Sequence, residues 1–391
     1  MDGKDIMHKG KNYCPHFGKC GGCNYLNLQY ENELSQKKLA VENALAECEI
    51  DAPVSNIVPM FFPYKYRNNI HLAVEQQAHR TVVGFYSQGG KNLIDIQSCQ
   101  LFDSWAQKLI DIVKKYIRSF KISGYNPITR AGILRYVVAR NFGNDIIVTL
   151  VVTTQNFAGK KEFYDMLKQE FGNVSLWLNI NKRTDSAVFD KPFIHKFGDK
   201  KLNANLCGIN FALSPSSFVQ TNFQIASKMY QKVLEYIKSS GCNAVIDLFS
   251  GIGITSCIFA KNGFDVLSVE MQKSSVLDAV EIQKKNSVEG KILAFCGKCE
   301  DLTTEMLDWA KNRSVAVFVD PAKNGIMPNV LQTILKIAPK MIVYMSCEPT
   351  TLARDLKILL QNKKYKIDEV LPFDMFPRTN HIEVLTKLIK K

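Results

Sequence analysis

At 391 residues, with 46% apolar and 22% charged side chains, the chain can bury a sizeable core in two or three domains and is too apolar to be an intrinsically disordered polymer. Fifty Lys and Arg against 37 Asp and Glu give a net charge of +13, which attracts polyanions and puts nucleic acid first among partners. No apolar run reaches bilayer length and Met1 to Tyr13 has no apolar core, so a cytoplasmic protein without a membrane partner or secretory signal is expected, in which eleven cysteines do not suit a disulfide framework.

The first cysteines come at once. Cys14, Cys20 and Cys23 lie in Cys14-Pro15-His16-Phe17-Gly18-Lys19-Cys20-Gly21-Gly22-Cys23, where glycines let the backbone fold around a small object. A tetrahedral site needs a fourth ligand, and Cys99, in a polar stretch just before a helical pattern restarts at Leu101, is the candidate. Four thiolates suit zinc or a [4Fe-4S] cluster, and spacing leaves those two near even; free cysteines without metal are the alternative. Between these ligands, Tyr30 to Ala46 reads as an amphipathic helix and the segments near Tyr66 to Gln76 and Arg80 to Tyr86 as strands. Tyr64-Lys65-Tyr66-Arg67-Asn68-Asn69 interleaves aromatics with cations, which suits nucleic acid or an ordinary strand edge.

Charge is uneven along the chain: residues 1–100 carry ten basic and ten acidic side chains, 101–205 seventeen and nine, and 206–391 23 and eighteen. Residues 101–205 are therefore the expected phosphate-facing surface, with a solvated basic face as the alternative. Helical period over Trp105 to Phe120 and Lys160 to Phe171 alternates with strands at Leu134 to Arg140 and Asp145 to Thr153, decorated by Arg130, Arg135, Arg140, Lys182 and Arg183. Three domains are expected: 1–100, a metal module; 101–205, a basic α+β RNA-contacting domain; and 206–391, catalytic.

The last segment is the most legible. Ala244-Val245-Ile246-Asp247-Leu248-Phe249-Ser250-Gly251-Ile252-Gly253 is an apolar strand, an acid and a glycine turn before a helix. Phe264 to Glu270 is a second strand ending in a carboxylate, where a nucleoside-binding sheet places its ribose ligand. Ser256 stands where a phosphate-binding turn wants a third glycine, which argues for a ligand without a pyrophosphate. Strands follow at Ile292 to Phe295, Val315 to Val319 before Asp320-Pro321-Ala322-Lys323, and Met341 to Met345. Two extended runs, Lys366 to Leu371 and His381 to Leu388, close the chain, an arrangement typical of S-adenosylmethionine methyltransferases. The fold class is thus α/β, Rossmann-like, with an α+β central domain. Cys347 falls between the strand Ile342–Met345 and a helix with Thr350 or Thr351 as N-cap, where helix N–H groups would favour a thiolate. The pair Cys296 and Cys299 has no partner pair nearby and is not read as a metal site.

Together these residues resemble the RNA uracil-C5 methyltransferase family, which makes 5-methyluridine. The likeness rests on the four cysteines, Ser217-Phe218-Val219-Gln220-Thr221-Asn222, Asp247 to Gly253, Asp320-Pro321, Tyr344-Met345-Ser346-Cys347, Thr351-Leu352-Ala353-Arg354-Asp355, and Phe376-Pro377-Arg378-Thr379-Asn380-His381-Ile382-Glu383. The resemblance implies a [4Fe-4S] cluster on Cys14, Cys20, Cys23 and Cys99, S-adenosylmethionine held by Gln220, Phe249, Glu270 and Asp320, a nucleophile at Cys347 and a general base at Glu383. Lys323 and Ala322 depart from the usual Asp-Pro-Pro-Arg, and Phe249-Ser250 from the usual Tyr-Cys. Many relatives carry a small β-barrel before the first cysteine; its absence leads to the 23S rRNA branch, with transfer RNA or a non-catalytic RNA-binding iron-sulfur protein as alternatives. The basic central domain and Arg378 are expected to offset the unstacking of the target uridine. A monomer is expected.

Overall fold

The computed structural model describes residues 14–78 and 80–391, so the reading of Met1 to Tyr13 lies outside the described residues. The chain divides into two interleaved units, one running to Leu26 and resuming over Arg67–Lys200, the other comprising Asn27–Tyr66 and Lys201–Lys391.

In chain order, α1 (Tyr30–Glu47) belongs to the second unit. The first unit contributes β1 (Asn69–Gln77), β2 (Arg80–Tyr86), β3 (Leu93–Asp95), α2 (Ser104–Phe120), β4 (Leu134–Phe142), β5 (Asp145–Val152), α3 (Lys160–Glu170), β6 (Val174–Ile180) and β7 (Phe193–Gly198). Its strands form one sheet in the order β3-β2-β1-β4-β5-β6-β7, antiparallel except where α3 joins β5 to a parallel β6. Alternation assigns Ile70, Leu72 and Val74 of β1 to one face, all fully buried, while α2 and α3 meet through Tyr116 and Phe163, whose ring centroids are 4.6 Å apart. A boundary at residue 100 is therefore corrected. β1 lies before it and β4 after it, yet they exchange ladder hydrogen bonds from Asn69↔Arg140 to Ala73↔Tyr136, and a shared sheet does not split into modules.

The second unit continues with the β8 (Leu202–Leu206) and β9 (Ile209–Leu213) hairpin, α4 (Phe223–Ser239), β10 (Ala244–Leu248), α5 (Ile254–Lys261), β11 (Asp265–Glu270), α6 (Lys273–Lys285) and β12 (Ile292–Cys296). Then come α7 (Thr303–Ala310), β13 (Val315–Val319), α8 (Pro328–Ile337), β14 (Met341–Ser346), α9 (Pro349–Leu360), β15 (Tyr365–Phe373) and β16 (Glu383–Lys390). The sheet order is β12-β11-β10-β13-β14-β16-β15. The first five are parallel, and β16 enters antiparallel between β14 and β15. β10, β13 and β14 are buried along their whole length, as continuous β-branched runs in a doubly covered sheet should be. Val41, Ala44 and Leu45 of α1 join Leu352, Leu356 and Leu359 of α9 in the same core, each Val or Leu side chain contributing about 1.5 to 3 kcal/mol when fully buried.

Candidate active site

The expected residues gather at the carboxyl ends of the second unit's parallel strands, where open α/β sheets form their crevice. β14 ends at Ser346 and α9 starts at Pro349, which places Cys347 in the turn between them. The N-cap is Glu348 and Pro349 takes the first helical position, not Thr350 or Thr351 as expected, because proline's fixed φ and missing N–H suit that position. Thr351 instead donates its hydroxyl to the Lys323 carbonyl at 3.0 Å, tying the turn to the loop after β13. Asp355 completes the clamp: its Oδ2 accepts from the Tyr344 hydroxyl and the Ile326 N–H, both at 2.7 Å.

The ladder between β14 and β16 ends at the pair Ser346↔Val384, so Cys347, just past β14, and Glu383, the first residue of β16, lie at neighbouring strand ends. Burial pushes the Cys347 thiol up to about 11, and Glu383 and Asp320 add to the rise, while Lys323 and a backbone N–H oppose it. The expectation of a thiolate is thus corrected for the free protein. Desolvation, with the nearby carboxylates adding to it, outweighs the helix terminus and favours the thiol. Glu383 is raised well above the carboxylate range, first by burial and then by Asp320, with Lys323 again opposing. Asp320 is pushed to about 8 by burial and by Asp247.

The glycine turn shapes the other end. Phe249 (φ 62°) and Gly251 (φ 56°) are left-handed, and a Cβ on Gly253 would stand 3.2 Å from the Ala279 Cβ, so the backbone is close-packed where a ligand would approach. Asp247 is fully buried and accepts from Thr255 (2.7 Å) and Ser256 (2.5 Å) through Oδ2. Its Oδ1 has no protein partner, and burial raises its pKa to about 6. Glu270 ends β11 and accepts from the Gly251 and Gln272 N–H groups at 3.0 and 2.7 Å. Gln220 is buried and bonds the Tyr230 hydroxyl. Burial pushes Tyr230 up, and Asp320 and Glu383 add to the rise. Tyr230 was missed by sequence reasoning, since on α4 it reads as an ordinary core aromatic. Asp247, Asp320 and Glu383, all driven toward their neutral forms, make a donor set that suits a cationic ligand.

Three sequence readings of basic or aromatic groups are corrected. Arg378 is 5% exposed; Nη1 reaches Glu33 Oε2 at 3.3 Å and the Leu28 carbonyl at 3.1 Å, so it is committed inside the protein rather than offered to nucleic acid. Tyr66 donates to the Pro377 carbonyl at 3.0 Å, and the Tyr64 ring lies 4.8 Å from the Arg378 guanidinium carbon, so both steady that loop. Arg135 is also buried, binding the Asn181 carbonyl and side chain at 3.1 and 3.0 Å.

Cys14, Cys20, Cys23 and Cys99 line one cavity of about 390 Å³ in the first unit. Burial raises the thiols of Cys20, Cys23 and Cys99, Cys14 adds to the rise of all three, and Arg67 opposes it. Among the described residues no three His, Cys, Asp or Glu side chains are arranged to hold a metal ion, so the expected tetrahedral site is not formed as it stands. One zinc ion needs sulfurs at about 2.3 Å from a common centre.

The fold and the site define an α/β methyltransferase. A model of the family described as tRNA (uracil-5-)-methyltransferase matches residues 29–391, and the chain belongs to that family. It is 32% identical over 376 residues to an uncharacterized RNA methyltransferase of Clostridium tetani, covering 95% of this chain and 81% of that one. A Staphylococcus epidermidis counterpart is 32% identical over 390 residues, covering 97% and 83%. Among solved structures, Pyrococcus abyssi tRNA (uracil-54, C5)-methyltransferase in complex with S-adenosyl-L-homocysteine superposes with a TM-score of 0.78 at 27% identity, covering 95% of this chain and 85% of that one.

Proposed function

We propose that the enzyme transfers a methyl group from S-adenosylmethionine to C5 of a uridine in RNA through a covalent bond between Cys347 and C6. The observation that supports this reading is that Cys347 just past β14 and Glu383 at the start of the adjoining β16 stand close enough for Glu383 to act on the thiol and for Asp320 to act on both. The donor, when bound, supplies an electrophilic methyl on a positively charged sulfur. Gln220, Phe249, Glu270 and Asp320 would hold it, and its charge matches the acidic set that now drives their protons on. Uracil C5 is a poor nucleophile because two carbonyls draw on the ring. Cys347 loses its proton to solvent as its sulfur bonds C6, the displaced C5=C6 electron pair makes C5 an enolate carbon, and C5 takes the methyl as the methyl–sulfur bond of the donor breaks and the neutral thioether leaves. With the positive charge of the donor favouring its ionised form, Glu383 enters this step as a carboxylate and accepts the C5 proton, the C5–H electron pair re-forms the C5=C6 bond, and the C6–S bond breaks to return the Cys347 thiolate. A base whose pKa is raised accepts that proton more readily.

Cys14, Cys20, Cys23 and Cys99 would hold a [4Fe-4S] cluster, which would clip the chain before α1 to the polar turn after β3. The first reading of the RNA is 23S rRNA. Transfer RNA is the second reading, favoured by the likeness to the Pyrococcus abyssi tRNA (uracil-54, C5)-methyltransferase. Among the described residues no helix is long and apolar enough to cross a membrane; we place the enzyme in the cytoplasm, acting as a monomer. The test incubates the protein with 5-fluorouridine-substituted RNA and the donor. A stable protein–RNA link mapped to Cys347 is expected, and its absence with intact protein overturns the mechanism. Mapping 5-methyluridine in ribosomal and transfer RNA with and without the gene separates the two substrates.

A further inference from the structure

Four charged side chains are buried together away from the crevice described above, in the second unit. Glu33 and Lys37 lie one turn apart on α1, and Asp374 and Arg378 come from the loop between β15 and β16. All four are at most 5% exposed. Lys37 Nζ lies 2.8 Å from Glu33 Oε1 and 2.6 Å from Asp374 Oδ1, and donates to the Phe376 carbonyl at 3.2 Å. Glu33 Oε1 accepts the Arg378 N–H at 2.6 Å, and Oε2 faces the Arg378 guanidinium at 3.3 Å. Asp374 Oδ2 accepts from the Tyr30 hydroxyl at 2.5 Å, and Tyr30 in turn accepts the Met60 N–H at 3.0 Å.

The charges alternate Asp374, Lys37, Glu33, Arg378 and sum to zero, so burial leaves none of them uncompensated. What distinguishes the lattice is where it grips. It takes the loop at residues 374, 376 and 378, and at Arg378 it holds a non-glycine backbone at φ 69°. The hold continues outward: Thr379 donates to the Phe376 carbonyl at 2.8 Å, and the His381 N–H donates to the Thr379 hydroxyl at 3.2 Å. Asn222, the N-cap of α4 two residues after Gln220, donates to the Met375 carbonyl at 3.0 Å. Glu383 is the first residue of β16, paired with Phe373 at the end of β15, so the loop between them decides where its carboxylate stands. An apolar contact could bury this loop equally well; directional ionic hydrogen bonds to alternate residues fix its exit angle.

We propose that the Glu33–Lys37–Asp374–Arg378 lattice is a positioning device for Glu383, setting the base for proton removal from C5 without touching RNA or donor. This rests on the reading of Cys347 as nucleophile and Glu383 as base. A structural brace alone would weaken every step alike; a device aimed at the base slows only the step after the adduct forms. The test compares wild type with Lys37→Met in single-turnover experiments on unmodified RNA, following appearance of the Cys347 adduct and its decay to product. Expected are unchanged adduct formation, adduct decay slowed about 10- to 100-fold, and a visible accumulation of adduct. The paired Glu33→Gln/Lys37→Met variant, which leaves no unpaired charge on α1, serves if the single variant does not fold and should show the same split. Equal slowing of both steps, or unchanged decay in folded protein, overturns the proposal, as does failure of both variants to fold, since the lattice would then be a brace for the whole unit. Wild type that methylates RNA without any Cys347 adduct overturns the underlying reading instead.

Discussion

At the scale of single residues, the site is governed by desolvation of acids around one thiol. With its pKa pushed to about 11, Cys347 in the free protein should be alkylated by iodoacetamide about tenfold faster per pH unit between pH 7 and 10, followed by mass spectrometry of the modified peptide. A plateau near pH 7 would show a thiolate and contradict the burial argument. Replacing the base isolates the other half of the chemistry: Glu383→Gln should reduce turnover by about 10² to 10⁴ and leave the Cys347 adduct to accumulate on unmodified RNA. Asp320 gives a stability prediction. Its folded pKa of about 8 lies above the ordinary carboxylate value of about 3.9, so the folded state binds the extra proton between those limits. Its favourable contribution is complete below about pH 4 and is lost as pH rises through about 8. Asp320→Asn, which cannot ionise, should therefore gain stability over wild type as pH is raised from 5 to 8, by at most about 1.4 kcal/mol per unit, measured by urea unfolding at each pH.

At the scale of elements, the turn after β14 depends on a clamp that shares one carboxylate among β14, α9 and the loop after β13. Tyr344→Phe removes the hydroxyl that reaches Asp355 at 2.7 Å in a fully buried place, and should cost about 0.5 to 1.5 kcal/mol in urea melts while lowering adduct formation through displacement of Cys347. Helix and strand positions here were legible because the chain alternates apolar strand runs with amphipathic helices; the expected strand at Val315 to Val319 is β13 residue for residue. The N-cap was misread because proline at the first helical position displaces the threonines into the turn. The cysteine cavity is the corresponding element of the first unit. Protein purified without oxygen should be brown and contain about four irons per chain, and colourless protein containing zinc would refute the cluster.

At the scale of the whole molecule, the net charge of +13 makes a prediction independent of the chemistry. If six to ten phosphates are contacted, affinity for RNA should fall by about 10³ to 10⁵ between 50 and 200 mM salt, read from titrations at several salt concentrations. By itself the sequence determined the run of strands β10 to β14, the glycine turn after β10, the acid ending β11 and the thiol after β14, because each is written in a short stretch whose periodicity or turn chemistry is local. Tertiary structure alone decided what those groups experience. Arg378 looked available to RNA until Glu33, far away in the chain, was found against it, and Cys347 looked like a thiolate until Asp320 and Glu383 closed around it. Tyr230 became part of the site in the same way, and the interleaved division of the chain followed from α1 packing into the core with α9 while β1 paired with β4. Burial and long-range electrostatics depend on which distant residues become neighbours, and no local pattern carries that information.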